Sequence, residues 1–173
     1  GYGLDLPARG LVDYEDLDVR GAIVVVLDGH PVGLPSDVGA HLDSDKARMA
    51  AERGAVGMLV VRTERDNERL SWQRFARYPN RPRTTWVGAA GQPYDSRRLG
   101  FSATLSPEMA ARLFEGAPRP IDEVLRDAER QASRPSGFAL GRTARFEREG
   151  ARFTRFTSPN VVALLPGTDP SAA

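Results

Sequence analysis

The stretch Gly21-Ala22-Ile23-Val24-Val25-Val26-Leu27 decides the fold class of this chain. It is a short, continuous run of aliphatic and mostly β-branched residues, which is typical of a strand buried on both faces of a sheet. A second run of this kind, Ala55-Val56-Gly57-Met58-Leu59-Val60-Val61, follows it along the chain. If the two strands are parallel neighbours, the connection between them is expected to be right-handed.

The segment that joins these two strands is predicted to be a helix. Ala47, Ala50 and Ala51 fall on one helical face. Ser44 is the expected N-cap, and Gly54 stands where a C-cap glycine belongs. Because the face is narrow and made of alanines, this helix can lie close against a sheet. Strand, helix and strand together predict one βαβ-type unit.

Shorter patterns on both sides of this unit predict the remaining elements. In chain order the first of them are an acidic loop over 2–19, a Gly- and Pro-rich loop over 28–42, and short strands at 84–87 and 99–105. A helix from Ser106-Pro107-Glu108 to Gly116 follows, and then a helical piece, or a linker with helical bias, over 121–132. The last elements are a hairpin of 138–145 and 151–157 turning at Glu149-Gly150, and a buried strand over 160–165. Together they predict a mixed α/β domain, with a small mixed sheet or open barrel and helices packed against it.

The composition is that of an ordinary globular domain and excludes several classes of protein. The 173 residues include 24 basic and 23 acidic ones, so the basic excess of a typical nucleic-acid binder is missing. Because there is no cysteine, disulfides, thiolate metal sites and a cysteine nucleophile are excluded. No apolar run approaches the roughly 20 residues that a membrane span needs, and no signal peptide is recognisable.

Two histidines, each two positions from an aspartate, are the candidates for a metal site. Asp28-Gly29-His30 and His41-Leu42-Asp43 could be brought together by a loop, and zinc takes three or four such ligands. A hard cation held by Asp28 or Asp43 with main-chain oxygens is the other possibility. Two histidines on a polar loop are the favoured interpretation, so no metal site is predicted.

No catalytic motif is recognisable either. A serine triad would need His30 or His41 as its base, and no Gly-x-Ser-x-Gly elbow is present. The acidic residues of 13–18 are interpreted as a solvated, turn-forming loop, because paired catalytic carboxylates would need desolvation to shift a pKa. The glycines of 29–39 follow neither common nucleotide-binding pattern. We therefore predict no catalytic residue.

One segment combines aromatic and guanidinium groups within a polar, irregular region that we predict to be an exposed loop, residues 62–83. The side chains predicted to contact a peptide are Trp72, Arg74, Phe75, Arg77 and Tyr78. Aromatic faces suit peptide side chains, and arginine forks suit carboxylates. Two other interpretations stay open: these aromatic residues cover the domain's own barrel, or they stack on nucleic-acid bases.

Five pieces of the chain, in order, resemble the protease-associated (PA) domain that is inserted in zinc aminopeptidases of the M28 peptidase family. The pieces are Gly1–Leu4, Asp13–Val26, Lys46–Gly57, Ser106–Ala110 and Ser158–Pro170. One departure is visible, because Ala22 stands where that family often has lysine. The resemblance covers nearly the whole chain and depends on the order of the pieces, not on any single motif.

The resemblance implies a swivelling β/β/α fold, an open β-barrel or sandwich with flanking helices. It implies a PA domain over 1–165, with 166–173 starting a linker into a peptidase domain that is not in this sequence. Zinc and the catalytic residues would lie in that domain, and this chain would be a non-catalytic accessory that shapes peptide access. The parent protein would be secreted or periplasmic. A PA-type interaction or sorting module without a peptidase is the alternative.

Overall fold

The computed structural model describes residues 1–78, 84–89, 91, 99–130, 135–147 and 154–165. The strands are β1 (Asp5–Leu6), β2 (Leu11–Val12), β3 (Ile23–Leu27), β4 (Gly57–Val61) and β5 (Phe101–Thr104). The helices are α1 (Ser36–Glu52), α2 (Glu64–Arg69), α3 (Trp72–Phe75), α4 (Pro107–Leu113) and α5 (Ile121–Ala128), with a 3₁₀ turn at Pro7–Arg9. These elements form a mixed α/β domain, as predicted.

A three-stranded parallel sheet is the centre of the fold. Its strand order is β3-β4-β5, with Ile23 opposite Gly57 and Gly57 opposite Phe101. Strands β1 and β2 form a separate antiparallel pair. The predicted βαβ unit is confirmed, because α1 connects the parallel neighbours β3 and β4. The described residues contain two small sheets and no closed barrel.

Helix α1 begins eight residues before the predicted cap at Ser44, directly after Pro35. The Ser44 hydroxyl donates to the carbonyl of His41 over 2.7 Å. A serine that returns its hydroxyl to the preceding turn satisfies itself within a helix and does not end it. The predicted end is confirmed, because Gly54 has φ +87° and its N–H donates to Ala51 over 2.9 Å.

The N-terminal residues are part of the core, so the prediction of a loop over 2–19 is wrong for much of that range. Tyr2 and Leu4 are completely buried, and Leu11 and Tyr14 are buried as well. The acidic residues between them hid this pattern, because isolated apolar side chains in a polar stretch give no strand or helix period. Their burial follows from tertiary packing against the sheet and helices.

Helices α4 and α5 confirm the predictions made for them. The Ser106 hydroxyl caps α4 by accepting the N–H of Met109 over 3.2 Å. On α5, Val124 and Ala128 are buried in the same cluster as Tyr2. The Tyr2 hydroxyl donates to the carbonyl of Ala128 over 3.0 Å, which ties the two ends of the folded body together.

The described C-terminal residues do not form the predicted strands. No strand is assigned in 135–147 or 154–165, and the turn of the predicted hairpin lies outside the described residues. The buried strand over 160–165 is also not formed, since Val161, Val162, Leu164 and Leu165 are 89–95% exposed. An apolar run becomes a strand only where another strand fills its main-chain hydrogen bonds, and no described strand pairs with this one.

Two smaller predictions have mixed outcomes. The strand expected at 84–87 is reduced to an isolated bridge at Val87, whereas the strand expected at 99–105 is confirmed as β5. The domain boundary at residue 165 stays a prediction. The predicted linker, 166–173, lies outside the described residues.

Candidate functional site

The α2–α3 surface, residues 62–78, holds the five side chains predicted to contact a peptide. The prediction of an exposed, irregular loop over 62–83 is wrong for this part, which contains two short helices. Residues 79–83 lie outside the described part of the chain. Arg62 and Thr63 are buried. The loop prediction missed the spacing Thr63-x-x-Asp66, which is typical of a helix start.

Helix α2 is held in place by a capping box. The Asp66 N–H donates to the Thr63 hydroxyl over 3.3 Å, and the Thr63 N–H donates to the Asp66 carboxylate over 3.3 Å. The Thr63 hydroxyl also donates to that carboxylate over 2.6 Å. Both partners are therefore used to start the helix, and the carboxylate of Asp66 is engaged with Thr63.

Arg62 lies beneath these helices at the end of β4. It is 7% exposed, and its Nη2 donates to the carbonyls of Asp66 and Leu70, the latter over 2.6 Å. Its guanidinium carbon lies 4.6 Å from the centre of the Phe75 ring, which is within cation–π range. Nε and Nη1 are buried and have no hydrogen-bond partner among the described residues.

The five predicted contact residues divide into two groups. Trp72 and Phe75 are half-buried, with ring centres 5.7 Å apart, and Arg74, Arg77 and Tyr78 are exposed. One face of the Phe75 ring covers Arg62. For this ring, the interpretation that the aromatic residues cover the domain itself is therefore partly right. The other exposed groups give the surface aromatic faces and guanidinium groups together, which suits apolar side chains and carboxylates of a peptide.

A second polar cluster lies where the carboxyl end of β3 meets helix α1. The Lys46 ammonium is buried, donates to the carbonyl of Leu27 over 2.7 Å and pairs with Asp43 over 2.6 Å. Burial raises the pKa of the Asp28 carboxyl, and the nearby carboxylates of Asp66 and Asp43 raise it further. Because the Lys46 ammonium has both a carbonyl and a carboxylate partner, we interpret it as a structural residue.

The two histidines do not meet at a common point. The Nδ1 of His30 lies 3.2 Å from the carbonyl of Pro31, and the Nε2 of His41 lies 3.8 Å from the Asp45 carboxylate. Asp43 pairs with Lys46 instead of a histidine. Among the residues that the structure describes, no group of three or more metal-ligating side chains converges.

The acidic residues of 13–18 have separate roles. The Asp13 carboxylate accepts the N–H of Leu4 over 3.1 Å. Hydrogen bonds from Arg20 lower the pKa of the exposed Asp18 carboxyl to about 2. The two carboxylates thus hold turns in place, and no acid–base pair is formed between them.

The outer edge of β3 has main-chain groups without hydrogen-bond partners in the described part of the chain. The Asp28 N–H points toward β4, whereas the Leu27 N–H points to the opposite side and donates to Gly1 over 3.1 Å. Main-chain groups of successive residues point to alternate sides of a strand. The N–H and C=O groups of Ile23 and Val25 therefore face this outer edge, and no described residue bonds them.

A cavity of about 550 Å³ adjoins this edge. Its walls include Val25, Leu59, Phe114, Val124 and the segment 136–144. The lining is mostly apolar, so the cavity suits aliphatic or aromatic side chains. Together, the open edge and the cavity form a second candidate surface, distinct from the α2–α3 surface.

Comparison with known families identifies the chain. The PA domain family matches residues 6–94, which is just over half of the chain. This chain belongs to the PA-domain family. PA domains are protease-associated accessory modules, are not catalytic themselves, and usually stand in cis with a peptidase domain. No curated protein and no solved structure matches the chain.

The matched part of this PA domain contains β2 to β4 and α1 to α3, and therefore the whole α2–α3 surface. The M28 resemblance noted in the sequence has no counterpart in these comparisons. No helix in the described part of the PA domain is long and apolar enough to cross a membrane. Sequence reasoning missed Arg62, because an arginine directly after a strand reads as the start of a polar loop.

Proposed function

We propose that this PA domain is a non-catalytic accessory domain of a zinc-dependent M28 aminopeptidase. Its family membership and the ordered resemblance of five pieces of the chain support this proposal. Three of those pieces, Gly1–Leu4, Ser106–Ala110 and Ser158–Pro170, lie outside the matched residues 6–94. Zinc and the catalytic residues would belong to the peptidase domain, and the parent protein would be secreted or periplasmic.

The α2–α3 surface carries the proposal for peptide contact. It presents the half-buried Trp72 and Phe75 beside the exposed Arg74, Arg77 and Tyr78. Aromatic and arginine side chains dominate the binding energy of most protein interfaces. We propose that this surface lies beside the active-site cleft and limits or positions the peptide substrate.

The test is substitution in the parent enzyme, because deletion of 62–83 would also remove the buried Thr63. Trp72→Ala and Arg74→Ala are each expected to raise KM or to change the preferred peptide length. Removing an anchoring contact of about 1–2 kcal/mol corresponds to about a fivefold to thirtyfold change in KM. Zinc content should stay constant, since no zinc ligand is assigned to this domain.

Arg112→Ala on α4 is the matched control, because Arg112 is an exposed arginine paired with Glu108 and lies outside the proposed surface. Unchanged KM and unchanged length preference in both Trp72→Ala and Arg74→Ala would refute the role of this surface.

A PA-type protein-interaction or sorting module without a peptidase is the second candidate. The open edge of β3 and the adjoining cavity favour it, since an extended segment of a partner protein can add to such an edge. Sequencing the gene beyond the codon for Ala173 separates the two. A His-x-Asp pair followed by further acidic and histidine residues supports the aminopeptidase, and a long apolar span supports the sorting module.

A further inference from the structure

Arg62 is a buried cation without a counter-ion among the described residues. Its side chain is more than nine-tenths buried. No carboxylate oxygen of a described residue lies within 4.0 Å of its guanidinium nitrogens, the distance that defines an ion pair. Of the two acidic residues that follow it closely, Glu64 is exposed, and Asp66 is engaged with Thr63 in the capping box. Charged groups are rarely buried in this way unless a partner of opposite charge compensates them.

The hydrogen bonds of Arg62 are also incomplete. A guanidinium group has five N–H donors, and the two on Nη2 point to the carbonyls of Asp66 and Leu70. The donors on Nε and Nη1 have no partner among the described residues. Main-chain carbonyls supply partial negative charge on one side only, so the opposite side of the guanidinium lacks acceptors.

Only a short helix separates the Arg62 guanidinium from the α2–α3 surface. Phe75 places its ring over the guanidinium, and it belongs to α3, a helix of four residues. Trp72 and Phe75 are both partly exposed, and neither belongs to the two hydrophobic clusters of the core, so α3 is held outside the core. A short segment with few buried contacts moves at low cost in free energy. A ligand can therefore reach Arg62 from the α2–α3 surface by displacing the Phe75 ring.

We propose that Arg62 is the anion-binding residue of the α2–α3 surface and that it binds a carboxylate of the peptide. A carboxylate supplies both the missing negative charge and several acceptor positions. Trp72 and Phe75 would contact the apolar side chain next to that carboxylate. The carboxylate comes either from the C-terminus of the peptide or from an Asp or Glu side chain. The inference depends on the proposed function in one respect, that the ligand is a peptide.

The experiment measures the affinity of the 173-residue chain for four N-acetylated tripeptides by isothermal titration calorimetry. Ala-Ala-Phe is compared as free acid and as amide, and Ala-Glu-Phe amide is compared with Ala-Gln-Phe amide. The carboxylate that Arg62 binds should increase affinity by about tenfold to a hundredfold, as expected for a hydrogen bond to a charged group. The first pair reports a C-terminal carboxylate and the second an acidic side chain.

Substitutions assign this preference to Arg62. Arg62→Gln should remove the preference for the charged probe, and Arg62→Lys should retain part of it, because lysine keeps the charge but not the planar donors. Arg112→Gln, at an exposed position on α4, should leave the preference unchanged. Equal affinities within both pairs for the wild-type chain, or a preference that persists in Arg62→Gln, would overturn the inference.

A second measurement separates this inference from the proposed function. If none of the four peptides binds, peptide contact by this surface is wrong, and sodium acetate then tests the anion site alone. A rise in Tm in sodium acetate over sodium chloride of equal ionic strength, lost in Arg62→Gln, supports the site. The absence of such a rise, or an equal rise in both proteins, overturns it.

Discussion

Lys46 and Arg62 are two basic side chains that the fold buries in different ways. The Lys46 ammonium has a carbonyl partner, Leu27, and a carboxylate partner, Asp43, both within 2.7 Å. Arg62 has carbonyl partners for Nη2 only. The fold tolerates a buried charge whose partners are in place, whereas an unsatisfied buried charge is costly unless a ligand completes its hydrogen bonds. This contrast is why we assign a structural role to the first and a binding role to the second.

The two buried tyrosines offer a matched test of hydrogen bonding in the core. Tyr2→Phe should lower the free energy of unfolding by about 1 kcal/mol, because it removes the bond to the Ala128 carbonyl. Tyr14→Phe should be neutral or stabilising, since the Tyr14 hydroxyl is buried without a partner among the described residues. Urea unfolding of both variants measures the difference. Equal losses would contradict the assigned hydrogen bonding.

Asp28 makes stability depend on pH. Burial and the carboxylates of Asp66 and Asp43 raise its pKa in the folded protein. The folded state therefore binds this proton more tightly than the unfolded state, so stability falls as pH rises through the folded pKa. In the wild type the Gly29 N–H donates to the Asp28 carboxylate over 3.1 Å. Asp28→Asn removes the loss of stability at high pH and keeps an oxygen that can accept this N–H.

Asp28→Asn is accordingly expected to be more stable than the wild type at neutral pH. The advantage should shrink as the pH falls toward about 4, the ordinary pKa of an aspartate. Urea unfolding at a series of pH values measures it. A difference that does not change with pH would show that the Asp28 carboxyl titrates normally.

At the scale of elements, the packing of strands β4 and β5 depends on a close contact between a glycine and an aromatic ring. Gly57 on β4 faces the ring of Phe101 on β5, and that ring also stacks on Phe146 at 4.2 Å. A side chain at Gly57 would occupy the space of the ring. The glycine in the second apolar run is therefore a packing requirement between two strands and not a break in the strand.

Gly57→Ala should lower the free energy of unfolding by about 1–3 kcal/mol, as expected for an overpacked core. The added Cβ would lie 2.3 Å from Cε1 of Phe101, so the ring, which stacks on Phe146, would have to shift to admit it. Thermal unfolding of Gly57→Ala, of Phe101→Leu and of the double variant measures the coupling. If the effects of the two substitutions simply add, the contact does not set the strand spacing.

At the scale of the whole molecule, the folded body extends beyond the family match at 6–94. Helix α5 supplies Val124 and Ala128 to the cluster that contains Tyr2 and Leu4. Phe138 also packs against this cluster, with its ring 6.0 Å from that of Phe114. The core therefore depends on residues that follow the matched segment.

Truncation tests how much of the chain the core needs. A chain that ends after Arg130 should still unfold cooperatively, whereas one that ends after Arg119 should not. Loss of α5 exposes several buried side chains, each contributing about 1.5–3 kcal/mol, and removes the partner of the Tyr2 hydroxyl. Urea unfolding followed by circular dichroism measures both. Cooperative unfolding of the shorter chain would show that the core is complete without α5.

Local signals in the sequence predicted the elements whose structure depends on local chemistry. The two apolar runs became β3 and β4, Gly54 ended α1, and Ser106 capped α4. Such features depend on main-chain conformation and on side chains a few residues apart. The same reasoning failed at Ser44, whose hydroxyl donates to the carbonyl of His41 in the preceding turn of the helix.

The sequence by itself determined the mixed α/β class, the βαβ unit and the segment that holds the α2–α3 surface. Only the tertiary structure decided that Tyr2 and Leu4 are core residues, that Arg62 is buried with unmade hydrogen bonds, and that 160–165 lies exposed. The physical reason is that burial depends on contacts between residues far apart in the chain. The apolar period of a segment reports which side chains favour burial, and long-range packing decides which of them become buried.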